Sequence, residues 1–278
     1  MKVGNILQET IDFLKSSLTQ SPLLDAELIV EEVTGMPGHK VRINPDEEIS
    51  QEQYGKICNY RQRRKECEPI AYILGRKEFY SLNFKVNKDV LIPRPETELI
   101  VDLAIYYTPP HGKLVDIGTG SGAIAVAVKC NRPDIKVCAS DISEKALVVA
   151  KNNAETILGP ERQVEFHNGY LFEPFSNVRF DMIVSNPPYV DPALREYLQR
   201  DLEYEPPEAL YSAEGGKEIV TKLIEDARDM LNDEGMLLIE ISESMSEYII
   251  EKSSESGFSV SIFQDYSGLP RIAVLKNK

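Results

Sequence analysis

The sequence predicts an α/β protein: a seven-stranded, Rossmann-like, mainly parallel sheet with an antiparallel last strand, preceded by a small helical domain and a β-hairpin linker. Three observations carry this. Up to about residue 75 the apolar residues recur at helical spacing, with no convincing strand. From residue 113 onward, short apolar runs alternate with helical stretches, the order of a doubly wound parallel sheet. The last two runs are separated only by residues 264–270, too few for a crossover helix, so they must pair antiparallel. The expected division is 1–75 for the helical domain, 76–92 for the hairpin and 93–278 for the sheet domain.

In the first domain Ile6, Leu7, Ile11, Phe13, Leu14 and Leu18 outline an amphipathic helix. Ser21-Pro22 suits the start of a second, with Leu24, Leu28 and Ile29 inward. Residues 34–45 are rich in turn formers, and 46–65 read as a further helix ending in the basic run Arg61, Arg63, Arg64, Lys65. That run is either a contact for an acidic partner or a solvated face. Residues 79–86 alternate in part and, with the stretch up to Ile92, predict the hairpin. Pro93 and Pro95 stiffen the chain before a helix near Glu96. Strands follow at 113–117, 136–140, 163–166, 180–185, 236–241, 259–263 and 271–275, with helices near 122–130, 143–157, 216–231 and 244–256.

The chain has 278 residues, 42 % of them hydrophobic and 27 % charged, which suits an ordinary globular protein. Its formal net charge of −14 excludes a general nucleic-acid coat. No apolar run reaches the ~18–20 residues of a membrane span, and MKVGNILQET lacks a secretory pattern. Cys58, Cys67, Cys130 and Cys138 form no Cys-x-x-Cys, and His39, His111 and His167 are distant from them in sequence. The expectation is therefore plain thiols in a reducing, cytoplasmic setting, with neither disulfide nor metal.

Residues 114–122, LVDIGTGSG, run from a strand into a glycine-rich turn and a helix. Gly118 and Gly120 suit a tight turn and close approach of a ligand, and Gly122 suits close packing of helix on strand. A structural turn or a nicotinamide site would use similar residues. GTGSG is not GxGxxG, however, and Asp116 inside the strand suits a cationic ligand better than a pyrophosphate. Asp141, at the end of the next strand, fits the two hydroxyls of a ribose or, alternatively, a helix N-cap. S-adenosylmethionine has a ribose, an ammonium group and a sulfonium, and matches this pair of carboxylates.

The most specific signal is Asn186-Pro187-Pro188-Tyr189 at the carboxyl end of the fourth strand, where open α/β sheets place their ligands. The Asn186 side-chain oxygen and the Pro187 carbonyl are two acceptors for one planar NH₂ group, and Tyr189 can flank its plane. A carboxamide or an adenine amine fits, since either nitrogen is delocalised and needs orientation more than deprotonation. No histidine in the motif suggests a general base.

With these residues in view, the chain closely resembles the peptide chain release factor N5-glutamine methyltransferases, over essentially its whole length. The resemblance rests on residues 69–84 (PIAYILGRKEFYSLNF), 90–99 (VLIPRPETEL), 116–122 (DIGTGSG), 186–189 (NPPY) and 201–210. Asn-Pro-Pro-Tyr alone is shared with adenine-N6 methyltransferases, and the IPRPETE stretch narrows the choice. The resemblance implies a cytoplasmic, monomeric enzyme that uses S-adenosylmethionine, releases S-adenosylhomocysteine, and methylates the glutamine of the Gly-Gly-Gln loop of class 1 release factors. It implies no membrane and no direct nucleic-acid substrate. Another translation protein, such as a ribosomal protein, and adenine in a nucleic acid are the alternative substrates. Asp116, Gly118, Thr119, Gly120, Gly122, Asp141, Asn168, Gly169, Tyr170 and Asn186 would contact the cofactor. Phe79, Arg94, Pro95, Glu96 and Thr97 would join Asn186, Pro187, Pro188 and Tyr189 around the glutamine, with Arg94 and Thr97 alternatively structural and Phe79 alternatively core. The family usually has an acidic residue at the Tyr170 position, so Asn168 or the Tyr170 backbone is the expected replacement for its adenine contact. Ser242 and Met245 are further departures.

Overall fold

A computed structural model describes residues 1–277, and the chain divides into two compact units. The first comprises Met1–Gly75 with Gln199–Tyr204, and the second Arg76–Leu198 with the chain from Glu205 onward.

The first unit contains α1 (Val3–Lys15), α2 (Pro22–Thr34), α3 (Gly38–Ile43), α4 (Gln51–Lys65) and α5 (Ile70–Leu74). Val3, Ile6, Leu14, Ile29, Val30 and Ile57 form its core. A capping box between Ser50 and Gln53 starts α4 later than the expected 46. The preceding residues instead meet the N-terminus, where the Ile49 amide donates to the Met1 carbonyl at 2.8 Å. The turn-rich 34–45 stretch holds the short α3. Leu18 and Leu24, expected inward, are exposed. Asp25 takes the inward position in α2 because Arg64 of α4 pairs with it at 2.7 Å.

The basic run is consumed within this unit. Arg61 pairs with Glu9 at 2.7 Å and stands over the Phe13 ring, and Lys65 covers the same ring. Arg63 pairs with Glu68 at 2.6 Å. It is neither a free basic patch nor a merely solvated face. The Tyr204 hydroxyl donates to the Glu66 carbonyl at 2.9 Å, which ties the 199–204 segment into the unit.

The second unit opens with β1 (Arg76–Phe79) and β2 (Leu82–Lys85). The expected pairing of 79–86 with the stretch before Ile92 does not form. Phe79 pairs with Leu82, and Tyr80 and Ser81, with φ of 52° and 59°, form the left-handed two-residue turn that suits a twisted hairpin. The helix α6 (Glu98–Tyr107) holds this turn: Glu98 accepts the Tyr80 amide and Asp102 the Tyr80 hydroxyl, both at 2.7 Å.

The main sheet contains β3 (Lys113–Ile117), β4 (Lys136–Asp141), β5 (Val164–Asn168), β6 (Phe180–Ser185), β7 (Leu231–Glu240), β8 (Phe258–Gln264) and β9 (Pro270–Asn277). The spatial order is β5-β4-β3-β6-β7-β9-β8, and β9 alone runs opposite to the other strands. The closing hairpin thus lies at the sheet edge as expected, with its second strand inserted inboard. The helices α7 (Ala123–Asn131), α8 (Glu144–Leu158), α9 (Pro207–Leu210), α10 (Ala213–Gly216), α11 (Glu218–Met230) and α12 (Ser246–Glu255) complete the unit. Two apolar cores flank the sheet, one around Leu114, Val126 and Val184, the other around Ile117, Ile183 and Leu223. The strand order reverses between β3 and β6, and the crevice at their carboxyl ends is where such a sheet holds its ligand.

Candidate active site

Two loops meet at that crevice, the glycine loop after β3 and Asn-Pro-Pro-Tyr after β6. Adjacent strands align them: Asp116 lies beside Val184, and the Ser185 hydroxyl donates to the Ile117 carbonyl at 2.7 Å. A cavity of about 310 Å³ opens there, within the size range of small-molecule sites. Among the predicted residues, Gly118, Gly120, Asp141, Gly169 and Tyr170 line it on one side. Asn186, Pro187 and Pro188 line it on the other, and the segment from Pro206 to Ile219 adds Glu208, Tyr211 and Glu218.

The backbone amides of the glycine loop are held by acceptors at the end of β4. The Gly118 and Thr119 amides donate to the Ser140 carbonyl at 2.9 and 3.0 Å, and the Gly120 amide donates to Asp141 Oδ2 at 2.8 Å. Three donors that would cradle a pyrophosphate are therefore already used, which argues against a dinucleotide. Gly118 and Gly120 have positive φ and open space where a Cβ would sit, so the loop presents a bare backbone face. A Cβ on Gly122 would lie 3.1 Å from the Ala150 Cβ. The close packing predicted at Gly122 is thus against the helix α8 rather than against a strand.

Asp141 holds both loop and helix entry. Its Oδ1 accepts the Ser143 amide at 2.9 Å, and burial raises its pKa while the Ser143 and Gly120 amides oppose that rise. The N-cap of α8 is Ser143, whose hydroxyl accepts the Ala146 amide, so Asp141 is not spent as a cap. Each carboxylate oxygen accepts one backbone amide, and Asp141 lines the cavity. Asp116 is fully buried and does not line the cavity. Its Oδ2 accepts the Thr119 hydroxyl at 2.6 Å and the Ala125 amide at 3.2 Å, Oδ1 has no partner, and burial pushes its pKa up to about 7.

Asn168 and the Tyr170 amide, the expected replacements for the adenine contact, also make hydrogen bonds within the protein. Asn168 Nδ2 donates to the Asp141 and Ile142 carbonyls, bracing that loop, and the Tyr170 amide donates to Glu173. Tyr170 keeps its place in the cavity wall, with Lys222 Nζ 5.2 Å from its ring centroid. Gly169 must be a glycine for packing, since a Cβ would come within 2.6 Å of Pro174.

On the other side, Asn186 Nδ2 donates to the Thr97 hydroxyl at 3.1 Å, and Thr97 donates to Glu240 Oε2 at 2.6 Å. Tyr189 donates to Glu240 Oε1 at 3.0 Å. Burial raises the pKa of both Glu240 and Tyr189, and the Thr97 and Tyr189 hydroxyls and Arg271 oppose the rise at Glu240. Arg94 pairs with the buried Glu205 at 2.6 Å, and Glu205 also accepts the Ile92 amide. Pro95 and Glu96 are exposed. Phe79 is 1 % exposed, sits edge-on to Phe84 and lies in the core, the second of its two expected places, and it is not among the residues that line the cavity.

Sequence reasoning missed Glu240, Glu205 and Gly216. A Cβ on Gly216 would fall 2.1 Å from the Tyr189 carbonyl, so only glycine lets α10 approach the Asn-Pro-Pro-Tyr loop this closely. It also missed that Cys138 of β4 comes together with Glu165 and His167, two positions apart on β5. Among the described residues lining the cavity are Asp89, Asp141, Glu208 and Glu218, and no lysine or arginine.

Residues 5–75 match the family described as PrmC N-terminal domain, and residues 97–201 match the Methyltransferase small domain. The release factor glutamine methyltransferase of Salmonella typhimurium is 38 % identical over 96 % of this chain and 95 % of its own length. The chain belongs to the release factor glutamine methyltransferase family. The Neisseria gonorrhoeae member is likewise 38 % identical, over 93 % of this chain and 95 % of its own. A Pyrococcus furiosus methyltransferase structure, 22 % identical, aligns with a TM-score of 0.56 over 79 % of this chain and 99 % of its own, and shows the shared fold. As a member of this family the chain is an enzyme, a methyltransferase. Among its described residues no helix is long and apolar enough to cross a membrane.

Proposed function

We propose that this enzyme methylates the side-chain amide nitrogen (N5) of the glutamine in the Gly-Gly-Gln loop of class 1 release factors, with S-adenosylmethionine as donor. The observation that carries this is the orientation of Asn186. Thr97 spends its proton on Glu240 and must accept from Asn186, which turns Asn186 Oδ1 away from Thr97 and leaves it to accept. With the Pro187 carbonyl it forms the acceptor pair that a planar NH₂ requires.

S-adenosylmethionine, when bound, supplies a methyl group on a positively charged sulfur. Asp141 would hold its ribose, the bare faces of Gly118 and Gly120 would admit it closely, and Tyr170 and Gly169 would wall its base. The Asp116 carboxyl, buried behind the loop, would act by bracing the glycine loop through the Thr119 hydroxyl and the Ala125 amide rather than by touching the ligand. Asn186 and Pro187 would hold the two amide hydrogens, so the nitrogen is aimed and charge growing on it is stabilised. Tyr189, its hydroxyl tied to Glu240, would keep its ring beside the amide plane. Arg94 and Thr97 act by holding the chain and Asn186 in place.

The acidic lining favours a protein amide over a nucleic-acid adenine, whose phosphates it would repel. The test is labelled S-adenosylmethionine with a release factor, its loop Gln→Ala variant, a ribosomal-protein mixture and a DNA duplex. Label on the wild-type factor alone is the expected result, and label on DNA or on the Gln→Ala factor would overturn the reading. Asn186→Ala should lose about 100-fold or more in transfer, the order lost with an electrostatic donor or acceptor at a reacting centre, while calorimetric S-adenosylmethionine binding persists.

A further inference from the structure

We propose that Glu240 and Thr97 form a positioning relay that sets which end of the Asn186 amide faces the acceptor nitrogen. This rests on the function proposed above and adds to it a residue, Glu240, that stands outside both sequence motifs.

An asparagine amide has an accepting oxygen and a donating nitrogen of nearly equal shape. A flip about its last bond would present NH₂ to the substrate NH₂, a repulsive pair that neither holds nor aims the nitrogen. Something must make one orientation unfavourable. At the Asn186 nitrogen stands the Thr97 hydroxyl, 3.1 Å away. A hydroxyl alone does not discriminate, since it donates or accepts as required. The Glu240 carboxylate removes that freedom. It is 1 % exposed and accepts from Thr97 at 2.6 Å, so the single hydroxyl proton of Thr97 is committed and only its lone pairs face Asn186. A flipped Asn186 would set oxygen against oxygen.

The second arm of the same carboxylate accepts the Tyr189 hydroxyl at 3.0 Å. One buried group therefore holds both ends of the catalytic tetrapeptide. Its own position is set by the sheet, because Glu240 is the last residue of β7 and pairs with Ile272 of β9. Thr97 is brought in by the turn that precedes α6. Neither residue lines the cavity, and the relay acts through Asn186.

The test compares single-turnover methyl transfer to a release factor by the full-length wild type and its variants, with melting temperature and S-adenosylmethionine affinity measured alongside. Thr97→Val keeps shape and removes the hydroxyl. It should slow transfer about 100-fold, the scale of loss expected from misplacement of a reacting group, with cofactor affinity within about twofold. Thr97→Ser should restore transfer to within a few-fold of wild type. Glu240→Gln, which can no longer accept on both arms, should slow transfer about tenfold, roughly one hydrogen bond, and carries the test if Thr97→Val does not fold. In the Thr97→Val background, Asn186→Ala should add little, because both changes remove the same aimed oxygen. Losses that multiply in the double variant, no rescue by serine, or unaltered transfer in Thr97→Val and Glu240→Gln would each overturn the relay. Absence of transfer by the wild-type enzyme would instead count against the proposed function.

Discussion

Asp141 Oδ2 accepts the backbone amide of Gly120 at 2.8 Å, which joins the end of β4 to the glycine turn after β3. One carboxylate thus shapes the loop and faces the cavity. Asp141→Ala should weaken S-adenosylmethionine binding about 10- to 100-fold, since hydrogen bonds to a charged group contribute about 1.5–3 kcal/mol. Titration calorimetry checks this, and an unaltered dissociation constant would leave Asp141 as a loop brace alone.

Gly118 and Gly122 should fail in different ways. Both have positive φ, so alanine at either is strained by roughly 1–2 kcal/mol. A Cβ at Gly118 meets only open space on the cavity side, whereas at Gly122 it meets Ala150 at 3.1 Å. Gly118→Ala should chiefly raise the cofactor dissociation constant, and Gly122→Ala should chiefly lower the melting temperature. Calorimetry and thermal melts on both variants separate the two.

Asp116 should make stability depend on pH. Its carboxyl titrates near 7 in the folded protein because of burial, against 3.8 as the ordinary value. Between those values the folded state keeps a proton that the unfolded chain has released. The contribution is fully present below about pH 3.8 and is lost as pH rises through 7. Asp116→Asn can still accept from Thr119 and Ala125, and removes the ionisation. The variant should melt above the wild type at pH 8 and converge with it toward pH 4. Parallel melting curves across that range would refute the assignment.

Arg64 should matter for the helical unit rather than for chemistry. Its partner Asp25 is buried and Arg64 itself is nearly so, and Arg64→Ala would leave the Asp25 carboxylate without its cation. The expected loss is about 3–5 kcal/mol, the usual consequence of breaking a buried ion pair from one side. Urea unfolding followed by circular dichroism would show it, as an early transition or a lower midpoint.

Much of the site was legible because its motifs are local. A glycine turn after a strand and Asn-Pro-Pro-Tyr after another each encode their own backbone shape within a few residues, so Gly118, Gly120, Asn186 and Pro187 reach the cavity together. The substrate-side residues were less legible. Phe79 and Thr97 sit in conspicuous motifs, yet burial assigns one to the core and the other to a hydrogen bond behind Asn186. Glu240 was unreadable as a site residue, because a carboxylate at a strand end carries no local mark of its partners, and its Thr97 partner is 143 positions away.

By itself the sequence determined the alternation of strands and helices, the antiparallel close of the sheet and the chemistry of the two motifs, since these follow from side-chain periodicity and from turns that few residues can make. Only the tertiary structure decided that the basic run of α4 is paired at home, that three glycine-loop amides are already satisfied, and that Asn186 is oriented from behind by a buried carboxylate. The physical reason is the same in each case. Whether a charge or hydrogen-bonding group is free depends on which distant group it meets when water is excluded, and that meeting is set by sheet register and helix packing rather than by neighbours in sequence.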